Sequence, residues 1–263
     1  MSEIPFPPFE LRRIVGPTEE EFFDNPTGDF IWGELSFTGK EPTEVYDSVF
    51  DFGCGCGRNC RQLLLQHHPP QKYVGIDVSG QLIQWCKKNL EPINSNFRFH
   101  HHPVYCPFPE YGALDNPKVR TAPFPVESDS FSLFNAHSVF THLFLDQTEY
   151  YLNEAKRILK KDGIIRSTWF LFDKRVFPVL GPDQNCLYID EVNPTQAVYY
   201  DINYVFDLLS KLGFSLLHAE WTKQYGFQTL FYFGRSEVYT GLSEIEIPET
   251  IVGSKANPDL VMP

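Results

Sequence analysis

The sequence predicts an α/β fold: an open, mostly parallel sheet with an antiparallel pair at its end and helices on both faces. Three observations predict it. Strand-like and helix-like segments alternate from Ser48 onward, the order that parallel strands joined by crossover helices require. Val49 and Phe50 read as the end of a buried strand that runs into Asp51-Phe52, and Gly53, Gly55 and Gly57 then break it before helix-forming residues begin, giving strand, glycine turn, helix. The last two strands, Phe214 to Trp221 and Gln228 to Gly234, lie too close in the chain for a crossover helix and are therefore antiparallel.

Composition bounds the function. With 263 residues, 42% of them apolar and 16% aromatic, the chain can bury a large core as one domain with insertions. The 22 Lys and Arg against 34 Asp and Glu leave a net charge of −12 with no basic run, which argues against nucleic acid or an anionic membrane as partner. No apolar run approaches the ~18 residues of a membrane span. Met1 to Arg13 lacks the apolar centre of a secretory signal, so a cytoplasmic location is expected. Six cysteines, three of them crowded at 54, 56 and 60, do not form a secreted disulfide framework and are expected to be reduced.

The elements follow in order. Residues 1–44 carry Pro5, Pro7, Pro8, Pro17 and Pro26, so helices there are short, yet Phe6, Phe9, Leu11, Ile14, Phe22, Phe23 and Trp32 are too apolar for a solvated tail. This stretch is expected to pack as an arm over the ligand. The main domain is read as 45–236, with irregular insertions near 103–122 and 173–199, and 237–263 as a tail. Lys72 to Asp77 is a second buried strand ending in an acid. Ser79 is placed as the N-cap of a helix reaching Leu90. Asn96 to His100 and Ser130 to Asn135 are the third and fourth strands. A helix over Gln147 to Lys160 is expected to stop at Gly163, before a fifth strand from Ile164 to Phe172. Asp201 to Lys211 is the last helix, ended by Gly213.

In such a sheet, ligands bind beyond the carboxyl ends of the strands, where the glycine turn lies. Asp77 stands 26 residues after Asp51, a spacing at which a strand-end carboxylate takes the hydroxyls of a ribose, so an adenosine-containing cofactor is expected. A dinucleotide fingerprint would need a glycine at Arg58. Here the pattern is Asp-x-Gly-x-Gly-x-Gly, and a carboxylate at Asp51 would repel a pyrophosphate but suits a ligand with an ammonium group.

These residues carry a resemblance. DFGCGCGR (51–58), YVGIDVSGQLIQWC (73–86), APFPVESDSFSLFNAHSVFTHL (122–143) and EAKRILKKDG (154–163) together resemble the class I S-adenosylmethionine-dependent methyltransferases, over roughly residues 45–235. The resemblance implies a Rossmann-like seven-stranded sheet with an antiparallel last strand, and S-adenosyl-L-methionine as cofactor. It implies that Gly53, Gly55 and Gly57 lie under the methionine part, with Asp51 just before them. It further implies that Asp77 binds the ribose, that Val78 flanks the adenine and that Asn135 and Ala136 line the methionyl end. PPFELRRIVG (7–16) resembles an arm that closes the pocket in bacterial relatives. Pro103 departs from the pattern: relatives often carry an Asp there for the adenine, so recognition falls to packing, a histidine or backbone near Val104.

Methyl transfer needs alignment in a dry pocket and, for an oxygen acceptor, a base. His137 and His142 are the candidates, His142 reading first as a buried histidine bonded to backbone. The expected acceptor is a small molecule, with a sugar or natural-product hydroxyl favoured. Ser138 and Thr141 stand where some relatives have metal-capable glutamates, and neither the cysteines of the turn nor His100, His101 and His102 form a convincing ligand set, so no metal is expected. Trp169, Asp173, Arg175, Tyr199 and Tyr200 are read as possible substrate contacts. Two other readings stay open: a nicotinamide-dependent oxidoreductase and a non-catalytic cofactor-binding protein.

Overall fold

The computed structural model describes residues 4–108, 111, 116–177, 179–190, 192–222 and 227–240. They divide into two compact units, one of residues up to Asn135 together with Ile158–Lys160, the other of Ala136–Arg157 and residues from Lys161 onward. Most of the expected tail, from 241 on, lies outside the described residues.

In the first unit the proline-rich arm holds α1 (Phe9–Arg12) and, at its end, α2 (Pro42–Val45), each one turn long. Then come β1 (Ser48–Phe52), α3 (Arg58–Leu64), β2 (Lys72–Asp77), α4 (Gly80–Asn89), β3 (Phe97–His101) and β4 (Phe131–Ala136). The strands lie side by side in the order β3-β2-β1-β4, all parallel. All residues of β1 and β4 are buried, as in strands covered on both faces. Phe50 packs on Phe124, Phe131 and Phe134 with ring centroids 4.7–5.8 Å apart. Register sets Asp51 opposite Asn135 on one side and Gly75 on the other, which matters for the site.

Apart from Ile158–Lys160, the second unit contains α5 (Leu145–Ile158), β5 (Leu159–Phe172), β6 (Cys186–Tyr188), β7 (Val198–Asp201), α6 (Ile202–Lys211), β8 (Phe214–Glu220) and β9 (Thr229–Arg235). β9 runs antiparallel to β5 and to β8, as the short connection demands. Asp201 caps α6 by accepting the Tyr204 N–H at 3.2 Å, and Gly213 ends it at φ +82°, a conformation that costs glycine little. The sheet is mostly parallel with its last strands antiparallel, as expected.

Three expectations are corrected. The stretch 173–199 is not structureless: β7 pairs parallel with the end of β5, β6 pairs antiparallel with β7, and Phe172, Leu187, Ala197 and Tyr199 form a core of their own. The described residues thus hold nine strands rather than seven, because strands of three and four residues are too short to show a period. Gly163 is not a helix stop. α5 ends at Ile158, whose carbonyl accepts the Ser130 N–H at 2.8 Å, and the buried Leu159 already belongs to β5. Ser79 is the N-cap residue of α4, as expected, but makes no side-chain cap bond, its hydroxyl being buried without a partner. Its N–H donates to the Asp77 carboxylate at 2.8 Å, a charge-assisted bond.

Candidate functional site

The glycine turn is braced on the end of β2. Gly53 N and Cys54 N both donate to the Ile76 carbonyl at 2.9 and 3.0 Å, and Gly57 N donates to the Cys54 carbonyl at 3.0 Å. Gly53, Gly55 and Gly57 have φ of +74°, +56° and +82°, so a side chain at any of them would be strained. Gly55 N donates to Asp77 Oδ2 at 2.9 Å, and Asp77 Oδ1 takes the Ser79 N–H at 2.8 Å. The bend and the acid that the sequence sets 22 residues apart therefore meet directly. Burial pushes the Asp77 carboxyl up to about 6, against the two backbone N–H groups that favour its charge.

Asp51 sits at the centre of a sealed network. It is fully buried, and its carboxylate accepts Asn135 Nδ2 at 2.7 Å, the Tyr73 hydroxyl at 2.8 Å and Asn59 Nδ2 at 3.3 Å. Burial raises its carboxyl above the usual range, and the three donors work the other way. Tyr73 and Asn59 were missed in the sequence; the available signal was a tyrosine inside the otherwise aliphatic strand KYVGID.

Val78 is half-buried, and its carbonyl accepts His101 Nε2–H at 3.0 Å. Val104 is buried, and its N–H is committed to the His102 carbonyl at 2.8 Å. The arm docks on this same unit. Leu11 and Phe23 share a core with Cys56 and Leu82, flanked by Val15 and Trp85. A Cβ added at Gly55 would lie 2.7 Å from Val15 Cγ1, so the arm touches the turn itself. Arg61 of α3 ties it down: its guanidinium donates to the carbonyls of Ile4 and Phe23, reaches Asp24 Oδ1 at 3.3 Å and lies 3.6 Å from the centroid of the Phe6 ring.

The second unit holds the remaining candidates. Ala136 ends β4 and His137, half-buried, follows it. Ser138 turns the chain at φ +58°; its N–H donates to Thr168 Oγ1 and its Oγ accepts from Gln228 Nε2, both at 2.7 Å. His142 donates Nδ1–H to the Thr195 carbonyl at 2.9 Å, since a carbonyl can only accept. This leaves Nε2 as the basic nitrogen, and burial lowers its pKa. Trp169 and Tyr200 are buried: Trp169 stacks on Phe140 at 4.5 Å and meets Tyr200 edge-on. Asp173 is fully buried and paired with Arg175 at 2.6 Å. Among the described residues no group of three His, Cys, Asp or Glu is set to hold a metal.

The methyltransferase domain family matches residues 50–166, from β1 into β5, and so spans the turn, Asp77 and Asn135. These residues form a class I S-adenosylmethionine-dependent methyltransferase domain. A SAM-dependent methyltransferase from Leishmania major is 13% identical over 75% of this chain and 68% of its own, with a TM-score of 0.51. An S-adenosylmethionine-dependent methyltransferase from Mesorhizobium loti is 13% identical over 72% of this chain and 90% of its own, with a TM-score of 0.49. At such identities the first likeness shows the fold alone, and the second carries no argument. S-adenosylmethionine is the cofactor of this methyltransferase domain, and the residues fit it. The N–H groups of Gly53, Cys54, Gly55 and Gly57 are all taken within the protein, so none of the three glycines offers its N–H to a phosphate. A buried carboxylate beside a bare glycine bend suits a cationic nucleoside instead.

Proposed function

We propose that this methyltransferase acts on a small molecule and places the methyl on a hydroxyl oxygen, of a sugar or natural product. The observation that carries the cofactor half of this reading is the 2.9 Å contact of Gly55 N with Asp77 Oδ2, which puts the bend and the carboxylate in one place. In this reading Gly53, Gly55, Gly57, Asn135 and Ala136 surround the methionyl part and Asp77 receives the ribose hydroxyls. Val78 flanks the adenine. Val104 backs it by packing, because its N–H is already used. Asp51 acts indirectly, by holding Asn135 and Asn59, since three donors already engage its carboxylate.

When bound, the cofactor supplies an electrophilic methyl on a sulfonium. The protein's own work is to align the acceptor oxygen, exclude water and take its proton. We assign the proton to His137, which continues from Asn135-Ala136 and is held by the pinned turn at Ser138. The Thr195 tether of His142 supports a packing role for that residue. His137→Ala should lower turnover by about 10²–10⁴-fold with an unchanged melting temperature, whereas His142→Ala should lower turnover and melting temperature together. The reverse pattern would exchange the roles.

The acidic chain, with no basic run, favours a small acceptor over nucleic acid. The six free thiols fit a reducing compartment such as the cytoplasm. The deciding experiment is mass spectrometry of the purified protein with methyl-labelled S-adenosylmethionine and a metabolite extract. Label on a small hydroxylated compound is the expected result; label only on protein or nucleic acid would refute the acceptor class.

A further inference from the structure

Ser138, two residues past the end of β4, turns the chain at φ +58°, a left-handed backbone that few residues other than glycine adopt. Its N–H donates to Thr168 Oγ1 of β5 and its Oγ accepts from Gln228 Nε2, both at 2.7 Å. The Gln228 amide is thereby fixed through its nitrogen, while its Oε1 is buried with no hydrogen-bond partner. Among the described residues this is the one buried side-chain carbonyl so left. An unmet acceptor away from water is costly, and a carbonyl, unlike a hydroxyl, cannot turn donor to relieve it.

The place of this clamp narrows what it is for. Ser138 follows the carboxyl end of β4, and Gln228 precedes Thr229, which pairs with Trp169 near the carboxyl end of β5. Ligands of such sheets bind beyond those ends. Gln228 stands at the border of surface and interior, since Phe227 before it is exposed and Thr229 after it is fully buried. His137, the assigned base, is joined to Ser138, so one turn holds both the base and the amide. The group that Oε1 lacks must donate, and because the amide is neutral, a hydroxyl meets it without burying an ion. The reacting hydroxyl gives its proton to the base, so this donor is a different one.

We infer that Gln228 selects the methyl acceptor: its Oε1 accepts a hydrogen bond from a second hydroxyl of the acceptor, one that is not methylated. The inference rests on the proposed hydroxyl methylation and narrows it to acceptors that carry at least two hydroxyls. An otherwise similar acceptor with only one leaves the amide oxygen unmet and is rejected.

The test starts from the labelled small molecule that the purified full chain forms from methyl-labelled S-adenosylmethionine and a metabolite extract, and from analogues of its acceptor that each lack one unmethylated hydroxyl. The product should retain a free hydroxyl. With the unsubstituted protein, one of the deoxy analogues should show a kcat/KM lower by about tenfold or more. Gln228→Met, which keeps the length but not the carbonyl, should lose as much on the intact acceptor and nothing further on that analogue, the non-additivity of two partners in one bond. Its affinity for S-adenosylhomocysteine should be unchanged. A product without a free hydroxyl overturns the inference. So does a Gln228→Met variant as fast as the unsubstituted protein, or one whose loss adds in full to the loss on every analogue, because the residue then only packs the turn. Should that variant fold poorly, the side-chain amide resonance of Gln228 in the unsubstituted protein decides: it should shift with the intact acceptor and not with the analogue, and a shift with both or with neither overturns the inference. Labelling of no small molecule overturns the proposed reaction as well, which separates that failure from the others.

Discussion

Asp77 joins two demands that pull its proton in opposite directions. Burial favours the neutral acid and raises the carboxyl to about 6. The stability tied to this group is present below the usual carboxylate range and is lost as pH rises through about 6. Ribose hydroxyls, which donate, prefer the carboxylate. Cofactor affinity should therefore fall as pH drops below about 6, by up to tenfold per unit, with a proton released on binding that calorimetry in buffers of different ionisation heat would count. Asp77→Asn should bind at least about tenfold more weakly and lose the pH dependence; a variant that kept the slope would remove Asp77 from the ribose. The meeting of Asp77 with the glycine turn was legible in the sequence, because the turn and the acid close two successive strands. The bonds of Tyr73 and Asn59 to Asp51 were not, because they depend on strand register and on the first turn of α3, neither of which leaves a local pattern.

The arm shows how an element without regular structure is held. Its two helices are single turns, too short to persist alone. Its place is set from α3, where the buried Arg61 satisfies carbonyls at both ends of the segment, Ile4 and Phe23, and Gln62 adds a bond to the Phe22 carbonyl at 2.9 Å. Arg61→Ala should cost about 2–4 kcal/mol. Hydrogen exchange should show residues 4–24 losing protection while β1 and β2 keep theirs; uniform loss across all three would mean that Arg61 serves the whole core instead. Long elements were readable in advance. β2 matches its expected bounds residue for residue, and α6 falls one residue short of its expected start. β6 and β7 were not, because they lie in a proline-containing stretch and owe their pairing to the exposed edge of a strand more than ten residues earlier.

At the scale of the whole molecule, the alternation of strands and helices was visible because crossover connections impose it on any parallel sheet. The division into two units was not, since it cuts the chain inside β4, between Asn135 and Ala136, where no linker or change of composition marks it. No described helix is long and apolar enough to cross a membrane, and most of the large apolar side chains of the sheet are buried in its core. That packing includes Cys54, Cys56, Cys60 and Cys86, all buried around the bend. Burial pushes the Cys56 thiol up to about 12 and the other three well above the ordinary range, so none is nucleophilic while the native contacts hold. A sulfhydryl reagent applied to the native protein should thus be consumed there only as fast as the bend opens. S-adenosylhomocysteine should slow that consumption by a factor of about one plus its concentration divided by its Kd, turning four inert side chains into a clock for the breathing of the bend.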